Sequence, residues 1–99
     1  MVVRDSQSTP VITRDVTVAN RMGIHARPAA LFVRTASRFR SEILIVKDGE
    51  RINGKSIMGL MMLAAGPGSR LRLEIVGEDA QEALRALEEL VCVRKFDEE

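Results

Sequence analysis

Leu71, Leu73 and Ile75 alternate with Arg70, Arg72 and Glu74, the period of two that puts one strand face in a core and the other in water. The same alternation, less regular, runs from Thr13 to Ala19, where Val16 and Val18 share a face that Arg14 interrupts. A third strand is predicted over Glu42–Lys47, which encloses the aliphatic run Ile43–Val46. Asp48-Gly49 after it is the dipeptide preferred in type I′ hairpins, so Glu50–Asn53 is expected to return antiparallel. Elsewhere the period lengthens. Ala29, Phe32, Val33 and Ala36 predict a helix from about Ala26 to Arg38, with Pro28 near its front, where a missing N–H removes no intrahelical bond. Ser56 offers an N-cap to a short helix from Ile57 to about Leu63, closed by Gly66-Pro67-Gly68. From Asp79 onward, Ala83, Leu84, Leu87, Leu90 and Val91 form the apolar stripe of a last helix.

The order βαββαβα, with a wetted strand face, predicts an α+β fold: a two-layer, open-faced β-sandwich whose four-stranded antiparallel sheet carries three helices on one face. Residues 12–94 are expected to form this domain, residues 1–11 a flexible N-terminal extension and residues 95–99 an acidic C-terminal tail.

Composition narrows the function. The 99 residues, 45% hydrophobic and 29% charged, suffice for one modest core and leave function on the surface. Fifteen basic against fourteen acidic residues give no global field for a polyanion. Without Trp or Tyr, and with Phe32, Phe39 and Phe96 on helices or their ends, the sheet has no platform for base stacking, and no nucleic-acid partner is expected. One cysteine and one histidine make neither a disulfide nor a zinc site, so no metal or other cofactor is expected and a reducing compartment fits best. Met1–Pro10 carries Arg4, Asp5, Gln7 and two serines where a secretory signal needs an apolar core. The longest mostly apolar stretch, Ile57–Gly66, is about half the ~20 residues that span a bilayer. A cytoplasmic protein without membrane insertion is expected.

The sole imidazole, His25, stands in Gly23-Ile24-His25-Ala26-Arg27-Pro28-Ala29, at the mouth of the first predicted helix. Unpaired amides, the helix macrodipole and Arg27 favour an anion there. The same positive surroundings favour the uncharged ring, whose lone pair can attack a phosphoryl group. The charge on the resulting phosphohistidine would meet helix amides and a guanidinium. The residues alone also leave a plainer reading open, in which His25 ends a turn and Arg27 is solvated.

Ser56 likewise has two readings, a simple N-cap or a hydroxyl that accepts a phosphoryl group favoured by the helix dipole. The helix it starts packs Ile57, Met58, Leu60, Met61, Met62 and Leu63 into seven positions, more apolar surface than one sheet face covers. Ile57, Leu60 and Leu63 are expected partly in the core, with Met58, Met61 and Met62 exposed as an adaptable docking patch.

One motif misleads. Gly49-Glu50-Arg51-Ile52-Asn53-Gly54-Lys55-Ser56 satisfies the phosphate-loop pattern G-x-x-x-x-G-K-S. Residues 50–53 serve better as the returning strand of the Asp48-Gly49 hairpin, and the stretch after Ser56 holds one clear strand rather than an alternating parallel sheet. No serine–histidine–acid set is evident either, since Ser56 and His25 occupy different helix starts.

Gly-Ile-His-Ala-Arg-Pro-Ala-Ala at 23–30 and Gly-Lys-Ser-Ile-Met-Gly at 54–59 resemble the HPr phosphocarriers of the bacterial phosphoenolpyruvate-dependent sugar phosphotransferase system, and the resemblance runs from about Thr13 to Val93. It implies the open-faced sandwich already expected. It also implies a phosphoryl carrier rather than an enzyme, with His25 loaded by phosphorylated enzyme I and unloaded to enzyme IIA of sugar permeases, and with Arg27 steadying the group. Ser56 looks like the regulatory site of HPr kinase/phosphorylase. The docking surface implied comprises Ile24, Ala26, Ala30, Ile57, Met58, Met61 and Met62. A histidine at 25 argues against the catabolite-repression homologue, and Ser56-Ile-Met-Gly against the nitrogen-branch carrier. A purely regulatory binding protein controlled by Ser56 is the alternative. The chain departs from the family in its N-terminal extension and acidic-ended tail, and neither alters the motifs.

Overall fold

The computed structural model describes residues 11–98, and its elements follow from where the apolar positions point. They are β1 (Val11–Thr17), α1 (Ala26–Ala36), β2 (Glu42–Lys47), β3 (Glu50–Asn53), α2 (Ile57–Met62), β4 (Arg70–Val76) and α3 (Ala80–Glu88). The sheet runs β1-β4-β2-β3 and every neighbouring pair is antiparallel. Ile43 and Ile45 of β2 and Leu71, Leu73 and Ile75 of β4 are fully buried under the helices. Arg72 and Glu74 lie on the open face, where they pair with Asp15 and Arg51 respectively.

β1 occupies Val11–Thr17 rather than Thr13–Ala19, because its ladder with β4 extends from Val11 opposite Val76 to Thr17 opposite Arg70. Beyond Thr17 the chain continues by Val18, which exchanges hydrogen bonds with the turn before β4: its amide donates to Ser69 and its carbonyl accepts from Gly68, both at 2.8 Å. Arg14 interrupts the apolar face without being buried. Its Nη1 donates to both carboxylate oxygens of Glu88 at the end of α3, at 2.9 and 3.1 Å. The predicted extension boundary at residue 11 falls inside β1, and the rest of that extension lies outside the described residues.

The hairpin forms as expected, with Asp48 and Gly49 both left-handed, φ 52° and 81°, the conformation a type I′ turn requires. α1 ends at Ala36 instead of Arg38 because the next amides turn back by three residues, Arg38 to Thr35 and Phe39 to Ala36, a tightened last turn. α2 is closed not by Gly66-Pro67-Gly68 but earlier, by Ala64 at φ 51°. After α3 a π-turn over Glu89–Val93 keeps Leu90 and Val91 buried. The chain does not leave the globule at residue 95 as the predicted tail boundary implied, for Phe96 is 2% exposed and joins the core.

Candidate functional site

The site begins in the loop that carries the chain from Val18 to α1. Asn20, buried, donates from Nδ2 to the Gly23 carbonyl at 2.8 Å, a local bond of the kind that stabilises turns. Gly23 is left-handed, φ 72°, and the Ile24 amide donates to the Ala65 carbonyl at 2.8 Å. Ile24 is 7% exposed. It therefore fastens the loop from beneath, with little of its own surface open to a partner.

His25 follows as the N-cap of α1, in extended conformation (φ −112°, ψ −162°). Its carbonyl accepts from Ala29 at 2.9 Å, the first bond of the helix. The ring caps nothing and its side chain is 46% exposed. Pro28 has no N–H, and among the described residues nothing accepts from the amides of Ala26 and Arg27. The first turn contains no acidic residue, so its partial positive charge is uncompensated within the helix. Arg27 is exposed, and no carboxylate among the described residues lies within ion-pair distance of it. His25, Arg27 and Pro28 line one cleft. An acceptor nitrogen, two free amides and a guanidinium are what a transferred phosphoryl group needs.

The other wall of that cleft is Phe96 and Glu98, which sequence reasoning placed in the acidic C-terminal tail and did not count among the site residues. Lys95, Phe96 and Asp97 are consecutively left-handed, at φ 51°, 58° and 56°. The turn is held by Asp97 N–H to Arg94 O (2.8 Å), Glu98 N–H to Lys95 O (3.1 Å) and an Arg94 Nε–Asp97 Oδ1 bond of 3.0 Å. It delivers Glu98 to the loop. Oε1 accepts from the Met22 amide at 3.1 Å, and Oε2 accepts from Asn20 Nδ2 at 3.3 Å and stands 3.5 Å from His25 Nε2. Partial burial pushes the Glu98 carboxyl up, but the bonds from Met22, Asn20 and His25 outweigh it and hold the group below the usual carboxylate range. The surroundings of His25 are thus not uniformly positive. The sequence signal for this wall was faint: one aromatic, Phe96, set among charged residues.

Ser56 caps α2 as predicted, its Oγ accepting from the Gly59 amide at 3.0 Å. Leu60 and Leu63 are buried at 0% and 5%, whereas Met58, Met61 and Met62 are 73%, 46% and 71% exposed. Ile57, expected partly in the core, is 43% exposed and joins the methionines. Ala26 is exposed and Ala30 half-buried on α1, which packs against α2. Residues 50–53 are strand β3, and Lys55 Nζ donates to the Phe39 carbonyl at 2.7 Å, so the segment matching the phosphate-loop pattern is a hairpin strand and not a loop wrapped around a helix start. Among the described residues no three metal-ligating side chains cluster, and no helix is long and apolar enough to cross a membrane.

Comparison with known proteins agrees with this geometry. The family model described as the PTS HPr component phosphorylation site matches residues 12–92. A phosphocarrier protein HPr of Treponema pallidum is 53% identical over 89 residues, spanning 90% of this chain and 100% of its own. An HPr-like protein Crh of Halalkalibacterium halodurans is 54% identical over 77 residues, 78% of this chain and 92% of its own. The crystal structure of an HPr from Thermoanaerobacter tengcongensis superposes with a TM-score of 0.84 at 45% identity, covering 89% of this chain and 98% of that one. With a half-exposed histidine at an unpaired helix start and a family match over most of its length, the chain belongs to the HPr family of phosphocarriers of the phosphotransferase system.

Proposed function

We propose that this chain accepts a phosphoryl group on His25 from phosphorylated enzyme I and passes it to enzyme IIA proteins of sugar permeases. The observation that carries the reading is the half-exposed imidazole beside the unbonded amides of Ala26 and Arg27. A lone pair on the ring forms the N–P bond while the bond from phosphorus to the donor breaks, its electron pair leaving with the donor; transfer onward repeats the exchange in the other direction. The phosphoryl oxygens take the free amides and the Arg27 guanidinium, which replace lost hydration. The chain is a carrier and a protein substrate of its partners, needs no cofactor for this exchange, and works in the cytoplasm.

Docking falls to Met58, Met61, Met62 and Ile57 of α2 with Ala26 and Ala30 of α1, an apolar surface beside the acceptor. Ser56 is the site at which HPr kinase/phosphorylase regulates the exchange. A second reading, a regulatory binding protein governed by Ser56 without sugar transport, draws on the similarity to Crh. Incubation with enzyme I and phosphoenolpyruvate tests the first: an acid-labile adduct forms on the native chain and not on His25→Ala. An adduct that persists in the variant refutes the site. An acid-stable, ATP-derived phosphate on Ser56 without any transfer from His25 to an enzyme IIA selects the second.

A further inference from the structure

Methionine is among the residues most often buried, yet the buried core is built from Val, Ile, Leu, Ala and Phe, and all four methionines among the described residues are exposed. Three of them sit on α2, where Met61 and Met62 follow Met58 by three and four positions and so share its face. The fourth, Met22, is 67% exposed in the loop that carries His25, three residues ahead of the ring. That loop is fastened to the segment leaving α2 by the 2.8 Å bond from the Ile24 amide to the Ala65 carbonyl, so Met22 stands at the seam between the acceptor and the apolar helix. The only thiol, Cys92, is half-buried against the core. The sulfur that an oxidant in solution can reach is therefore gathered around the acceptor loop and α2.

We propose that Met58, Met61 and Met62, with Met22, form a reversible oxidation site through which hydroperoxides weaken the docking of phosphoryl-transfer partners. The proposal rests on the reading of α2 as the docking surface. A lone pair on the thioether sulfur takes the terminal oxygen of the hydroperoxide. The S–O bond forms as the O–O bond breaks, sulfur is oxidised by two electrons, and the remaining oxygen keeps the bonding pair, takes the proton and leaves as water or an alcohol. A dithiol returns the two electrons, becoming a disulfide and releasing the oxygen as water, which is the reaction of methionine sulfoxide reductases. The fold tolerates the change, because the four methionines are exposed and a sulfoxide on an exposed side chain keeps its water. Docking does not. A thioether repacks against a partner at little cost, whereas the sulfoxide oxygen is a polar acceptor that surrenders its hydration when a partner covers it. His25 and the free amides of Ala26 and Arg27 are untouched, so acceptance itself persists while delivery by a protein partner slows.

The test treats the full chain with hydrogen peroxide under native conditions and maps oxygen uptake residue by residue by peptide mass spectrometry. Each chain is compared with itself before and after treatment, using enzyme I with phosphoenolpyruvate and, separately, phosphoramidate, a small donor that needs no docking surface. In the native chain Met22, Met58, Met61 and Met62 are expected to gain one oxygen each and KM for enzyme I to rise about tenfold, the scale of stripping water from an unpartnered polar group. The rate with phosphoramidate and the urea midpoint hold, and methionine sulfoxide reductases with dithiothreitol restore the starting KM. A chain carrying Met22→Leu, Met58→Leu, Met61→Leu and Met62→Leu, substitutions that conserve volume, is expected to show the same KM before and after peroxide. Methionines that take up no oxygen, an equal loss with phosphoramidate, or an equal loss in the leucine chain each overturn the proposal. An unchanged KM in the oxidised native chain overturns it alone when Met58→Ala with Met62→Ala raises KM, and overturns the docking reading with it when that variant does not.

Discussion

A Cβ built on Gly23 stands 2.6 Å from the carbonyl oxygen of Ala65 and 2.8 Å from the Cα of Gly66. That approach lets the Ile24 amide reach the same carbonyl at 2.8 Å, and so sets the height at which His25 enters α1. Gly23→Ala meets two penalties, a left-handed φ of 72° and a collision with backbone that cannot rotate away. Together they are expected to cost about 2–4 kcal/mol. Urea denaturation measures the loss, and a change within about 0.5 kcal/mol, the scale of an ordinary surface substitution, contradicts the close approach.

Arg27 is the full charge at the acceptor that has no carboxylate partner among the described residues. Arg27→Ala is expected to slow loading of His25 by enzyme I about tenfold or more, below the 100-fold typical of a buried oxyanion donor because this guanidinium is exposed. Arg27→Lys keeps charge but not the two-pronged geometry and is expected to fall between. Because Arg27 holds no structural partner among the described residues, melting temperatures of both variants are expected to stay near the native value. Loading at the native rate in Arg27→Ala removes the residue from the phosphoryl site.

What the sequence disclosed here is what short-range periodicity can carry. β4, the Asp48-Gly49 hairpin, the Ser56 cap and His25 at a helix mouth are each set by residues within a few positions of one another. Arg14 looked like an error in an apolar face because its partner, Glu88, lies at the other end of the chain. Glu98 was hidden for the same reason, and further by the left-handed turn that aims it, since no pattern of apolar spacing announces three such residues in succession. Ala64 closing α2 shows the converse: a glycine-rich breaker was at hand, yet the helix ended where its bonds to Leu60 and Met61 ended.

Asp79 gives the fold a pH dependence whose sign follows from its bonds. Its carboxylate accepts from the Ser41 hydroxyl at 2.5 Å and from the Arg40 and Ser41 amides at 2.8 and 3.0 Å, which ties the approach to β2 to the start of α3. The Ser41 hydroxyl foremost, then the Arg40 amide, hold the group below the usual carboxylate range against a smaller opposing effect of burial. The unfolded chain therefore takes up this proton at a higher pH than the folded one. The stabilisation is complete above the unfolded value of about 3.9 and disappears as pH falls through the lower folded value. Asp79→Asn is expected to lower the melting temperature by a constant amount from neutrality to about pH 5, and the gap to narrow below pH 4. Comparison with the variant isolates Asp79 from Asp97 and Glu98, which titrate in the same direction. A gap that does not depend on pH refutes the assignment.

Ser56 separates capping from regulation. Ser56→Ala removes the acceptor for the Gly59 amide and is expected to cost about 1 kcal/mol, readable as a lower urea midpoint. Loading of His25 is expected to proceed at the native rate, since Ser56 lies outside the His25 cleft. ATP-derived phosphate from HPr kinase/phosphorylase is expected on the native chain and absent from the variant; incorporation into both places the modified residue elsewhere.

The methionines of α2 test docking independently of folding. Met58 and Met62 are 73% and 71% exposed, so replacing both with Ala removes almost no core contact, and stability is expected to change by less than about 0.5 kcal/mol. Their apolar area is valuable only when a partner covers it. At roughly 25 cal/mol for each Å² removed from water, truncating two such side chains is expected to raise KM for enzyme I about tenfold. The rate with phosphoramidate stays unchanged, because a small donor touches His25 and not α2. A loss of equal size with both donors means that the methionines act on the acceptor itself, and native kinetics with both mean that partners dock on another face.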